Sequence, residues 1–145
     1  MSETSVPLLR CAVASSGLLK IDRIGSGIGV IIYDNTRRIA TGLHFLAANS
    51  GGLKPTNHFM YADTAIPQAL TELCQKGGHA PFSVAIAGGA ALMGNHGDPT
   101  SQKNVVHATK EILRQASLPI TLEETGGNRI RCMVLDIDAG KIKIA

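Results

Sequence analysis

The segment that most constrains this chain is Ile24-Gly25-Ser26-Gly27-Ile28-Gly29-Val30, whose glycines run straight into a β-branched stretch from Ile28 to Tyr33. Glycines that close a strand and open a helix would suggest a dinucleotide loop. Here the order is reversed, glycines first and strand second, so the nucleotide reading fails. The strand stops at the turn pair Asp34-Asn35, and Arg38 to Leu46 reads as its antiparallel partner. A turn near Asn35-Thr36 would bring His44 back toward Gly27, since the two positions are almost equidistant from it.

Around this hairpin the elements fall into a simple order. Leu8 to Ala14 and Leu18 to Ile24 read as strands on either side of a Ser15-Ser16-Gly17 turn, and Lys54 to Asn57 as a loop. Ala62, Ala65, Ile66, Ala69, Leu70 and Leu73 recur at helical spacing, predicting a first helix that ends at Gly77-Gly78. Pro67 is tolerable there if Asp63 or Thr64 caps the helix. Phe82 to Ala87 is a buried strand closed by Gly88-Gly89, and Gly94 to Lys103 a polar loop. A second helix starts between Ser101 and Asn104, carries the stripe Val105, Ala108, Ile112, Leu113 and Ala116, and closes before Pro119. Leu118 to Glu123, Arg129 to Asp136 and Lys141 to Ile144 are the last strands, with the final turn at Ala139-Gly140. Two helices among about eight strands imply an α/β or α+β layered fold. Residues 1–145 read as one domain, long enough to bury a core without metal or disulfide support.

Composition removes several function classes. Aromatic residues make up 3% of the chain, too few for a base-stacking platform. The net charge of +3 is spread out, with only Arg37-Arg38 adjacent, so no stripe tracks a phosphate backbone and no nucleic-acid partner is expected. Three cysteines without a CxxC pair exclude a disulfide framework or zinc ribbon; Cys11, Cys74 and Cys132 read as small core residues. His58, His79, His96 and His107 lack metal-binding spacing, so neither a metal nor another cofactor is expected. The uncharged run Pro81 to Gly97 is rich in glycine and alanine and interrupted by polar groups, a poor match to the roughly 20 apolar residues that span a bilayer. With no signal-like start, the expected setting is cytoplasmic.

Four further punctuated segments follow the first: Gly42-Leu43-His44-Phe45, Tyr61-Ala62-Asp63-Thr64-Ala65, Ala87-Gly88-Gly89-Ala90 and Thr125-Gly126-Gly127-Asn128-Arg129. In this order they resemble the CheD family of chemoreceptor glutamine deamidases, from about Gly17 to Ile144. The resemblance implies a three-layer α/β/β sandwich and a Cys-His site that hydrolyses receptor glutamine side chains and, in some members, methylglutamates. It also implies two partners, the cytoplasmic helices of chemoreceptors and a CheC-type phosphatase. That family has Gly-Ser-Cys in its first segment, and the Cys is its nucleophile. Here the matching residue is Gly27, which has no side chain.

Hydrolysing an amide needs a nucleophile, a base to activate it and donors for the oxyanion. By resemblance His44 holds the base position, Gly27 that of the missing nucleophile, and Ile21-Asp22 stands where the family has a Thr that orients the His. The family's Leu-Pro after the His is Ala47-Ala48. Gly25, Gly88, Gly89, Thr125, Gly126, Gly127, Asn128 and Arg129 would line the cleft. Asn104 matches an Asn at the start of the second helix, where N-capping is its simple role, but Thr100-Ser101-Gln102-Lys103 departs from the family's Ile-Gly-x-Arg. Removing a covalent nucleophile leaves binding and oxyanion contributions, a loss on the order of a million-fold where it has been dissected. The expectation is therefore a pseudoenzyme that keeps its docking role. Two alternatives stand beside it: an amidohydrolase using Ser26 or water with His44, and a scaffold or binding protein outside chemotaxis. Ser26 is weakened as a nucleophile because neighbours on an extended segment face opposite ways. A glycine introduced at position 27 to trap a complex is a further account, although Ala or Ser is the usual trap.

Overall fold

The glycine segment marks the point where the chain changes sheets. The computed structural model describes residues 2–52, 56–92 and 99–145. Within them the order is β1 (Glu3–Ser5), β2 (Arg10–Ala14), β3 (Leu18–Ile24), β4 (Ile28–Asp34), β5 (Ile39–Phe45), α1 (Ala62–Gln75), β6 (Ser83–Gly88), α2 (Pro99–Gln115), β7 (Ile120–Thr125), β8 (Arg131–Asp136) and β9 (Lys141–Ile144). One sheet runs β1-β3-β8-β9 and the other β2-β5-β4-β6-β7. The bend Gly25-Ser26-Gly27 carries the chain from β3 in the first sheet to β4 at the centre of the second.

Three layers result, as the resemblance implied. Both helices pack on one face of the five-stranded sheet, where Val30, Leu43 and Phe45 meet Ala65, Ile66, Leu73 and Leu113. The other face meets the four-stranded sheet through Ile31, Tyr33, Ala40, Ala85 and Ala87 against Leu19, Ile21, Met133 and Leu135. Every residue of β4 and β5 is therefore buried, because both faces of the central strands are covered. Small residues let the sheets approach: a Cβ on Gly42 would lie 2.8 Å from Val6 Cγ2. The Tyr33 hydroxyl donates to the Ile137 carbonyl at 2.6 Å and ties the two layers together.

The hairpin, the central strands and the final turn match expectation. Several boundaries do not. A short strand, β1, precedes those read from sequence and pairs parallel with β3. The second helix begins at Pro99 rather than beyond Ser101, so residues 99–103 are helical and not loop. Proline suits a first helical position because its missing N–H would be unpaired there anyway. This places Asn104 inside α2 and exposed, so it does not cap the helix. The cap of α1 is Tyr61, with no side-chain bond; Asp63 instead accepts from the backbone N–H and hydroxyl of Ser50, and Thr64 donates to the His58 carbonyl. Cys74 is exposed, because the buried stripe of α1 passes through Ala69 and Leu73. Lys54 and Pro55 of the expected loop, and His96 with the rest of residues 94–98, lie outside the described residues. No described helix is long and apolar enough to cross a membrane.

Candidate functional site

The site assembles where three glycine turns meet at one end of the five-stranded sheet. The Gly89 N–H donates to the Gly27 carbonyl at 2.9 Å, and the Ala90 N–H to the Gly25 carbonyl at 3.1 Å. The Gly126 N–H donates to the Gly88 carbonyl, and the Ala91 N–H to the Gly127 carbonyl, each at 2.9 Å. Thr125 is the Cα partner of Gly88 in the parallel β6–β7 ladder. Gly25, Gly27, Gly88, Gly89, Thr125, Gly126 and Gly127 are thus brought into one platform. Gly88 and Gly89 have φ of +124° and +66°, which lets the chain turn back against the first segment without a side-chain clash.

Four N–H groups of the glycine turns already bond to carbonyls of the same cluster. A donor in such a bond stabilises developing negative charge only if it lets go of its present acceptor.

Gly27 is closed off as well. A Cβ built on it would lie 2.5 Å from the Phe45 carbonyl oxygen and 2.9 Å from Leu46 Cδ2. The reason is register. Ile28 pairs with Phe45 and Gly29 with His44, so the residue drawn toward Gly27 is Leu46 and not His44. His44 is displaced by two positions along the ladder from the place expected for a partner of Gly27. Leu92 Cδ1 lies 2.7 Å from a Cβ built on Gly25, so two exposed leucines flank the bend.

His44 itself is buried, 5% exposed. Strand alternation puts it on the face of β5 that holds Ala40 and Gly42, toward the second sheet. Burial lowers its pKa from 6.5. Ser26 is exposed on the bend, so it and His44 occupy opposite environments. Ile21, in the region where the family's Thr is expected, is fully buried between the sheets, and Asp22 is exposed.

Cys11 is paired with Leu43 and packs toward the helices, on the face of the sheet opposite His44. Burial, and then the nearby Glu72 carboxylate, push its thiol up to about 11, which is the wrong direction for a thiolate nucleophile. Asn128 and Arg129 are exposed beyond the platform, with Arg129 against Glu124 at 3.5 Å. Asn104 lies within α2 and is exposed.

Two contributors escaped the sequence reading. Arg131 is 8% exposed and reaches the Gly88 carbonyl from β8, with Nη1 at 3.5 Å, under the glycine turns. Nothing local marks a buried arginine. Leu46 could have been found from the hairpin, had the turn been given its observed four residues between Asp34 and Ile39.

The family model described as CheD chemotactic sensory transduction matches residues 46–145, a span that begins two residues after His44. A probable chemoreceptor glutamine deamidase CheD of Methanococcus vannielii is 32% identical over 123 residues, covering 83% of this chain and 80% of that protein. The corresponding protein of Caldanaerobacter subterraneus is 28% identical over 136 residues, covering 90% and 83%. The chemoreceptor glutamine deamidase CheD of Thermotoga maritima is 31% identical over 122 residues, covering 83% and 76%. With more than half of its length matched by the family model, and relatives of this similarity spanning most of both chains, the protein belongs to the CheD family.

Proposed function

We propose that this protein is a chemotaxis protein of CheD type that has lost side-chain deamidation and keeps a docking role toward chemoreceptor helices or a CheC-type phosphatase. One observation carries the reading. By resemblance Gly27 stands at the family's nucleophile position, and a Cβ built there would meet the Phe45 carbonyl oxygen and Leu46. The buried, neutral-leaning His44 and the occupied N–H groups of the glycine turns support it. A docking surface needs shape and exposed contacts but no thiol, so it survives these changes. The alternative built on Ser26 is less favoured, since among the described residues its hydroxyl is exposed on the bend while His44 is buried.

The test pairs binding with chemistry. The purified protein is incubated with a receptor cytoplasmic domain; complex formation is followed by calorimetry, and deamidation by the gain of about one dalton per glutamine in intact mass. Binding with no mass change is expected. Mass gain by the native chain would overturn the loss of activity, and an absence of binding to both receptor and CheC-type partner would overturn the docking role.

A further inference from the structure

The glycine platform opens at one side onto a groove that shares Gly89, Thr125 and Gly126 with the expected cleft and continues beyond it along α2. On α2, Lys103, His107, Lys110 and Arg114 are all exposed and recur every three or four residues, so they form one ridge. At 1.5 Å rise per residue the ridge is ~16 Å long. Facing it is β7, an edge strand of the five-stranded sheet. Between ridge and strand lie two depressions in line. One, of about 280 Å³, is lined by Gly89, Lys103, His107, Lys110, Thr125 and Gly126, and so begins at the platform. The other, of about 560 Å³, is lined by Lys110, Arg114, Leu118, Pro119 and Ile120. Lys110 lines both and reaches Glu123 of β7 at 2.9 Å between them.

We propose that this groove is the docking track for an acidic α-helix of the partner, laid along α2 with its carboxylates facing Lys103 and Lys110. This rests on the docking reading of the glycine platform, and it names the chemistry of the partner. The charge pattern favours an acidic occupant. Lys103 has no ion pair among the described residues, while Lys110 and Arg114 are held only by Glu123 and Glu111. Such exposed pairs contribute little to stability, so a partner carboxylate exchanges with them at small cost. The spacing favours a helix. Lys103 and Lys110 are seven residues apart, two helical turns, and match carboxylates seven apart on a second helix packed alongside. The apolar far end, at Leu118, Pro119 and Ile120, accepts the nonpolar face that an amphipathic helix carries next to its charges.

The experiment measures affinity for three probes: a receptor cytoplasmic domain, a helical peptide with glutamates at i and i+7, and a peptide of equal charge kept from helix formation by internal prolines. The protein is used as the native chain, as Lys103→Glu/His107→Glu, and as Lys76→Glu, a charge change on α1 outside the groove. The groove substitutions are expected to weaken the receptor and the helical peptide at least tenfold, with the Lys76 variant unaffected and binding falling as salt rises. Circular dichroism of each variant confirms that its fold is kept. Receptor binding that ignores the groove substitutions overturns the track while leaving the docking role intact. If the receptor does not bind at all, docking to receptors fails and the helical peptide alone decides the groove. Failure of that peptide to bind, or equal affinity for the proline-blocked one, overturns the helical occupant.

Discussion

The Phe45 carbonyl oxygen lies 2.5 Å from where a Cβ on Gly27 would stand. The obstacle is backbone, so a side chain at position 27 enters only if β4 and the end of β5 move apart. Gly27→Cys is therefore expected to destabilise the protein by about 1–3 kcal/mol, the range for overpacking a tight site. Adding Leu46→Ala relieves only the contact with Leu46 Cδ2, so the double variant should recover part of the loss. Thermal unfolding of the two variants beside the native chain checks this. An unchanged Tm for Gly27→Cys would mean that the bend opens freely and that the cleft remains ready for a nucleophile.

What was legible in the sequence was local. The Ile28–Tyr33 run, the hairpin and most of both helix stripes are periodic signals read within one segment and they form, although Ala116 falls beyond the end of α2 at Gln115 and is exposed. The first strand, Glu3-Thr4-Ser5, is short and polar; its place comes from pairing with Leu18, Leu19 and Lys20, which no local pattern announces. The start of α2 was missed because its first turns are polar, even though Pro99 is itself a start signal. At the site, His44 and the glycine turns were visible as motifs, but their geometry was not. The two-residue displacement of His44 from Gly27 follows from a turn in which Arg38 adopts φ +56°, a conformation its side chain does not advertise. Burial of Arg131 beneath Gly88 joins residues 43 positions apart and depends on how the two sheets stack.

The pH dependence of stability should carry the mark of His44. Burial lowers its folded pKa below 6.5, so the folded state favours the neutral ring. Above 6.5 both states are neutral and the residue contributes no pH dependence. As pH falls below that value the unfolded chain takes up the proton first, and stability declines through the window down to the folded pKa. Urea midpoints from about pH 8 to pH 5 should show this decline, and His44→Gln should flatten it. An unaltered slope in the variant would mean that the ring is not held neutral by burial.

Asp34 is expected to be a stability residue of the hairpin turn. Its side chain is fully buried and accepts from the backbone N–H groups of Thr36, Arg37 and His79, and from the Arg37 guanidinium at 3.2 Å. Burial pushes its pKa up, but the Arg37 and His79 backbone bonds and the Arg37 charge together outweigh it, and the net shift is downward from 3.8. The stability it supplies is thus fully present above 3.8 and lost as pH falls through the lower folded value. Asp34→Ala should cost ~2–4 kcal/mol at neutral pH, since three backbone donors lose a charged acceptor. Asp34→Asn should retain part of the bonding and lose the acid dependence. Calorimetric unfolding at neutral and acid pH separates the two.

Two glycines of the platform should respond differently to the same change. Gly88 has φ +124°, and a Cβ on it would collide with the Gly27 carbonyl oxygen and lie 2.8 Å from Ile24 Cγ2. Gly126 has φ +82° but no atom within 4 Å of its Cβ position. Gly88→Ala therefore adds a steric conflict to backbone strain and should cost ~2–5 kcal/mol. Gly126→Ala carries the strain alone, ~1–2 kcal/mol. Chemical denaturation of the pair measures the difference directly. Equal losses would mean that the contact between the first and third glycine segments can relax, and the platform would then be a set of adjustable turns. A larger loss at Gly88 would instead show that the segment holding Gly27 is held from both sides, by Phe45 and by Gly88.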